Sequence, residues 1–137
     1  VAGVDPEYPR LLPTLDDVNR PFWTGGARGE LLISRCRACR TWVHPPAERC
    51  PHCADMLVPE AATGNGTVFT FTVNYQPYHP DVPPPYIIAV VELDEQVGLR
   101  LPTNIVGCDP DDVECSLPVQ VAFEERGEIF VPVFVPR

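Results

Sequence analysis

The chain has 137 residues, 18 of them proline, and a net charge of −9 with no lysine. That length holds one or two small modules and excludes a large enzyme with a deep cleft of its own. A proline share well above the usual ~5% argues for loops and β structure over a helix bundle.

The charge is unevenly spread, with seven arginines against six acids in residues 1–50 and three arginines against thirteen acids in residues 51–137. A nucleic-acid binder needs a basic track to displace counterions, and the C-terminal half has the opposite sign. No signal peptide and no long apolar run is present, so the expectation is a soluble, cytoplasmic protein without a membrane partner. The chain begins at Val1, which favours a domain cut from a longer polypeptide over a processed product.

In chain order, residues 1–30 read as an arm with short helices. The first thirteen residues are proline-spaced and extended. Asp16 and Asp17 suit the first turn of a short helix. Asn19 is placed to cap a second helix, with Pro21 tolerated early in it. That segment carries Phe22 and Trp23 and ends around Gly25, Gly26 and Gly29.

Residues 31–63 read as a metal ribbon. A strand at 31–33 runs into Cys36-Arg-Ala-Cys39, and Cys50-Pro-His-Cys53 follows ten residues later, before a returning strand at 57–61. Each C-x-x-C turn aims two sulfurs at one point, and two turns on a hairpin supply a tetrahedral set with zinc–sulfur distances of about 2.3 Å. Cys36, Cys39, Cys50 and Cys53 are therefore the expected ligands of a structural zinc ion. Four thiolates close the shell and leave no position for an activated water. A rubredoxin-like iron centre would use the same ligands, and two disulfides or free thiols are the remaining alternative. Thiolate ligation fits a reducing compartment. Cys108 and Cys115 read as small buried apolar residues, with a disulfide or a reactive thiol as the alternative.

Residues 64–137 read as all β. A turn at Gly64-Asn65-Gly66 opens a strand at 67–75, whose alternation sets Val68, Thr70 and Thr72 on one face and Phe69, Phe71, Val73 and Tyr75 on the other. The aromatic face is expected to fill an interior. A proline-rich loop at 77–85 carries Tyr78 and His79. Strands follow at 86–93, 97–106, 117–123 and 129–135, with a capped helical turn at Asp109-Pro110-Asp111-Asp112. Five strands with one helical insertion between the third and fourth fit an OB-fold barrel. The expected fold is mainly β: a helical arm, a rubredoxin-like zinc ribbon, then a five-stranded OB barrel able to survive metal loss on its own apolar strands.

Catalytic signatures are missing. His44 and His52 lie in or beside the ribbon, His79 is a lone loop histidine, and no serine elbow, phosphate loop or carboxylate pair is present.

An ordered set of motifs then resembles a known family. These are Pro21-Phe22-Trp23, Gly29-Glu30-Leu31, the two cysteine pairs, His44-Pro45-Pro46, Gly66-Thr67-Val68, Pro85-Tyr86 and Val106-Gly107-Cys108-Asp109-Pro110. Together they resemble the acyl-CoA-associated OB-fold/zinc-ribbon family, or domain of unknown function 35, from about Thr14 to Pro136. The family usually carries glycine after the second cysteine of each turn and before the fourth barrel strand. Here those positions hold Arg40, Ala54 and Ser116.

The resemblance implies a non-catalytic accessory subunit that binds and activates a thiolase-fold acyl-CoA carbon–carbon lyase. A retro-aldolase of steroid side-chain degradation is favoured, in complexes that cleave a β-hydroxyacyl-CoA into a ketone and a shorter acyl-CoA. Some members are fused behind an enoyl-CoA hydratase domain. The alternatives are a partner of an acyl-CoA thiolase or an independent acyl-CoA-binding module. A heterotetramer is expected, with acyl-CoA as ligand of the complex. Phe22, Trp23, Tyr78 and Tyr86 are the expected contacts with the partner or the acyl chain, because aromatic residues anchor interfaces.

Overall fold

The computed structural model describes residues 10–78 and 83–137. Residues 1–9 of the expected arm, and His79, lie outside them. Helix α1 spans Arg20–Thr24 and runs into a 3-10 turn, Gly25–Arg28, which Gly29 stops at φ 70°. Asp16 and Asp17 make a turn rather than a helix. The Asp16 carboxylate accepts from the Val18 and Asn19 N–H groups (2.9 and 2.7 Å). Asn19 does not cap α1 with its side chain, which bonds back to Asp16 N and Thr14 O instead.

Strands β1 (Leu31–Cys36), β2 (Trp42–Val43) and β3 (Leu57–Ala62) form an antiparallel sheet in the order β2-β1-β3. Strands β4 (Asn65–Asn74), β5 (Tyr86–Leu93), β6 (Arg100–Ile105), β7 (Pro118–Arg126) and β8 (Ile129–Pro136) form a closed barrel in the order β4-β5-β6-β8-β7. The five-stranded barrel and ribbon match the expected fold, with β4 starting at Asn65, inside the expected turn. A 3-10 turn at Pro110–Asp112 sits between β6 and β7, capped by the Asp109 carboxylate on Asp111 N. No described helix is long and apolar enough to cross a membrane.

The expected two-face reading of β4 holds over only part of the strand. A bulge shifts the register between Val68 and Thr70. Val68 is buried, Phe69 is 47% exposed, and Phe71 and Val73 pack against the core. The extra residue of a bulge reverses the side-chain parity beyond it. Val68 therefore shares the interior with Phe71 and Val73, and Phe69 points out beneath the Arg100 guanidinium, 3.7 Å from its ring centre.

Ribbon and barrel share one core. Leu31, Ile33 and Trp42 of the ribbon and Phe22 of α1 join Val68, Val91, Val119 and Phe134 of the barrel in one buried cluster. At about 25 cal/mol per Å² of apolar surface, a shared core makes each unit part of the other's stability. Gly26 lets the 3-10 turn lie flat on the barrel, since a Cβ there would stand 2.4 Å from the Phe130 Cβ.

Two side-chain ties fix the pieces further. The Gln96 side chain, in the β5–β6 turn, accepts from Trp42 N–H (2.9 Å) and donates to Trp42 C=O (3.0 Å). Arg10 binds Glu124 of β7 (2.5 Å) and the Asn104 Oδ1 of β6 (2.9 Å), the two strands flanking β8. Glu124 is only 3% exposed, and Arg126 lies 3.7 Å from the same oxygen. A carboxylate this buried persists because cations neutralise it.

Candidate metal centre and apolar cleft

The two cysteine turns are built alike. Cys36 closes β1, and its carbonyl accepts from Arg40 N–H (3.0 Å); the Cys50 carbonyl accepts from Ala54 N–H (2.9 Å). The Cys39 and His52 N–H groups point at the sulfurs of Cys36 and Cys50, each at 3.4 Å. Closing such a turn needs a left-handed residue after the second cysteine, and Arg40 and Ala54 adopt φ 66° and 64°. The family's glycine position thus keeps its backbone shape with a side chain present, at a cost of about 1 kcal/mol each.

All four sulfurs lie within 4.8 Å of one another, with Cys36–Cys53 at 3.4 Å and Cys39–Cys50 at 3.7 Å. A tetrahedral ion with 2.3 Å bonds requires sulfurs about 3.8 Å apart, so the four thiols fit zinc. None of the six cysteines is in a disulfide; of the two outside the ribbon, Cys108 is half-buried and Cys115, expected to be buried, is exposed on the loop after the 3-10 turn. The thiols are already differentiated. The Thr41 hydroxyl and backbone pull Cys39 down to about 6. At Cys53 the Asp55 backbone favours the thiolate, but the neighbouring sulfurs outweigh it and push the group up to about 11.

Arg35, Arg37 and Arg40 of the ribbon are paired locally. Arg35 and Arg40 both reach Glu60 (2.5 and 2.9 Å), Arg37 reaches Asp55 (2.7 Å), and Arg35 also lies over the Trp42 ring. The Arg35 hydrogen bond, then that of Arg40, holds the Glu60 carboxyl below its usual range. This is a solvated knuckle rather than an open phosphate site.

Three of the four expected contact residues come together. Phe22, Trp23 and Tyr86 line an apolar cleft of about 920 Å³, shared with Ile88, Leu101 and Val131. Phe22 is its buried floor, edge-on to Trp23 at 4.8 Å, while Tyr78 is exposed and does not line the cleft. His44 also lines it, stacked near Phe22 at 4.9 Å. Its Nδ1 is buried without a hydrogen-bond partner, and burial pulls the imidazole down to about 4. His44 is thus a neutral wall residue at pH 7. Sequence reasoning missed Gln96, Arg10 and Glu124, because a turn glutamine or a strand-end glutamate reads as surface until its distant partner is known.

Comparison with known proteins adds the following. Residues 23–56 match the model described as "ChsH2, rubredoxin-like zinc ribbon domain", and residues 59–124 match "ChsH2, C-terminal OB-fold domain". A "probable enoyl-CoA hydratase alpha subunit" of Thermomonospora curvata is 42% identical over 136 residues, covering 95% of this chain and 42% of that protein. The "3-oxo-4,17-pregnadiene-20-carboxyl-CoA hydratase alpha subunit" of Mycobacterium tuberculosis is 36% identical over 105 residues, 74% of this chain and 32% of that protein. The chain therefore spans less than half the length of these curated relatives. A solved structure described as "Ltp2-ChsH2(DUF35) aldolase" superposes with a TM-score of 0.78 at 40% identity, covering 91% of this chain and 98% of that one.

Proposed function

This chain belongs to the DUF35 family, with the zinc ribbon and OB fold of ChsH2, and we propose that it is an accessory subunit or domain of an aldolase. In this reading it does not perform the chemistry. The observation that carries it is the closed metal shell: four cysteine sulfurs satisfy a tetrahedral ion and leave no open coordination position. When bound, zinc supplies folding free energy, and Cys36, Cys39, Cys50 and Cys53 would hold it. The partner is a thiolase-fold subunit that cleaves a β-hydroxyacyl-CoA, in a heterotetramer with one copy of this chain per partner subunit. Acyl-CoA is the ligand of the whole complex. The hydratase names of the relatives and the steroid acyl group in one of them support a steroid side-chain retro-aldolase, with this chain fused behind a hydratase domain. The arm (1–30), ribbon (31–63) and barrel (64–137) are its working units. Trp23 and Tyr86 present the apolar contact surface, Phe22 supports it from below, and Tyr78 is a separate exposed contact.

The test is co-expression with the aldolase subunit of the same host, followed by gel filtration and a product assay on a β-hydroxyacyl-CoA. A stoichiometric complex that releases ketone, with each subunit alone inactive, is the expected result. Cleavage only when free CoA is added would reassign the partner to a thiolase. Acyl-CoA binding by this chain alone, with no complex, would make it an independent binding module.

A further inference from the structure

Residues 61–78 hold no charged side chain, in a chain of net charge −9. They contain β4, and the second half of that strand is paired on one side only. On one flank β5 pairs with it from Gly66 to Asn74. On the other, β7 pairs with Asn65, Gly66 and Thr67, and Val68 exchanges bonds with Leu117 and Ser116. The direction of the remaining backbone groups follows from alternation. Leu93 N–H donates to the Leu99 carbonyl on the β6 side of β5, so residues 86, 88 and 90 face β4. Their partners Asn74, Thr72 and Thr70 face β5 in return, and Phe71 and Val73 turn their N–H and C=O groups the other way. Among the described residues nothing bonds to them there.

An open strand edge is a template for another strand, and edges left in water are blunted by charges or prolines. From Phe69 to Tyr75 there is neither. Exposed rings collect here instead. Phe69, Tyr75 and Tyr78 are the exposed aromatic side chains among the described residues, and all lie on β4 or just after it. Phe71 and Val73 pack inward on the core, while Thr70 and Thr72 are exposed on the opposite face. Arg100, over the Phe69 ring, is paired with Glu92.

We propose that the open edge of β4 pairs with the same edge of a second copy of this chain, antiparallel about a two-fold axis at Thr72. An isologous contact needs a surface that matches itself on rotation, and this one does. Phe71 faces Val73 of the second copy, and each such pair exchanges two backbone hydrogen bonds. Thr72 meets Thr72 of the second copy, and Phe69 lies level with Tyr75 of the second copy. Threonine and aromatic pairs are favourable across strands, whereas like charges opposed are not. Two chains of equal negative charge can meet along an uncharged edge without opposing like charges. The two barrels then share one continuous sheet.

The test is sedimentation of the zinc-loaded chain from about 1 µM to about 1 mM, with hydrogen exchange at both ends of that range. A reversible dimer is expected, with exchange at Phe71 and Val73 at least tenfold slower at the high end. Thr72→Lys sets two ammonium groups face to face at the axis and raises the dissociation constant at least tenfold, although it lowers the overall repulsion between chains. Val97→Lys makes the same change of charge in the exposed β5–β6 turn and does not weaken the dimer. Thr72→Cys, mildly oxidised, gives a disulfide joining the two copies at that residue, because facing residues of a non-hydrogen-bonded pair lie about 4.5 Å apart at Cα. A monomer throughout the range overturns the proposal. So does a dimer that Thr72→Lys leaves intact. Protection of Phe71 and Val73 that appears only when the aldolase subunit is added assigns the edge to that partner and overturns the second copy as its occupant.

Discussion

Replacing His44 with phenylalanine should stabilise this protein, increasingly as the pH falls. The His44 ring packs on Phe22 in the cleft wall, its Nδ1 is buried without a partner, and burial pulls the imidazole from 6.5 to about 4. Phenylalanine keeps the ring and removes the orphaned nitrogen, an unsatisfied group that costs about 1–3 kcal/mol. The pH dependence follows from proton linkage. Between pH 6.5 and 4 the unfolded chain binds a proton at this position and the folded chain does not, so the histidine's contribution to stability falls with acidification. With those two values the loss between pH 7.5 and pH 5.5 is about 1.3 kcal/mol. Urea unfolding of both proteins at the two pH values, with zinc present, gives the comparison. The stability difference should widen by about 1 kcal/mol at the lower pH. Parallel pH profiles, or a destabilised variant at pH 7.5, would refute the buried neutral imidazole.

Cys53→Ser should lose zinc, read as the absence of metal release to a colorimetric chelator on thiol modification, and should also lower the thermal midpoint of the barrel. The second effect follows from the shared core, in which Leu31, Ile33 and Trp42 pack with the barrel's buried residues. Gln96→Leu removes both hydrogen bonds to Trp42 and should cost about 1–3 kcal/mol by denaturant titration, with zinc still bound. Retention of full stability would show that the amide pair contributes nothing. Ala54→Gly relieves a left-handed alanine at φ 64° and should gain about 0.5–1 kcal/mol after the entropy of the added glycine is subtracted. A loss would place the strain elsewhere.

The features legible in the sequence were those with local rules. The C-x-x-C spacing fixed the ligand set, because a turn brings its two sulfurs together whatever surrounds it. The resemblance marked Arg40, Ala54 and Ser116 as replacing glycines, and all three adopt positive φ, at 66°, 64° and 73°. Strand positions followed from alternation, and so did the error at Phe69. A bulge inserts one residue without any compositional mark, and every assignment beyond it changes face. Asn19 looked like a cap by residue type, yet the N2 position is Pro21, which has no N–H, and the Asn19 side chain turns back to Asp16 N–H and the Thr14 carbonyl. Gln96 with Trp42, and Arg10 with Glu124, depend on partners 54 and 114 residues away, which no local pattern encodes.

The strand order also sets a timetable for folding. Neighbours in sequence make the β4-β5-β6 meander and the β7–β8 hairpin, whereas β4–β7 and β6–β8 join distant parts of the chain. Local pairings cost little loop entropy and form first; long-range closure comes late. The β6–β8 contact, with one bridge, should be absent from the rate-limiting step. Substitutions there should then speed unfolding and leave the folding rate almost untouched, a φ-value near zero. The same chain would reach its near-native shape with that side of the barrel still ajar.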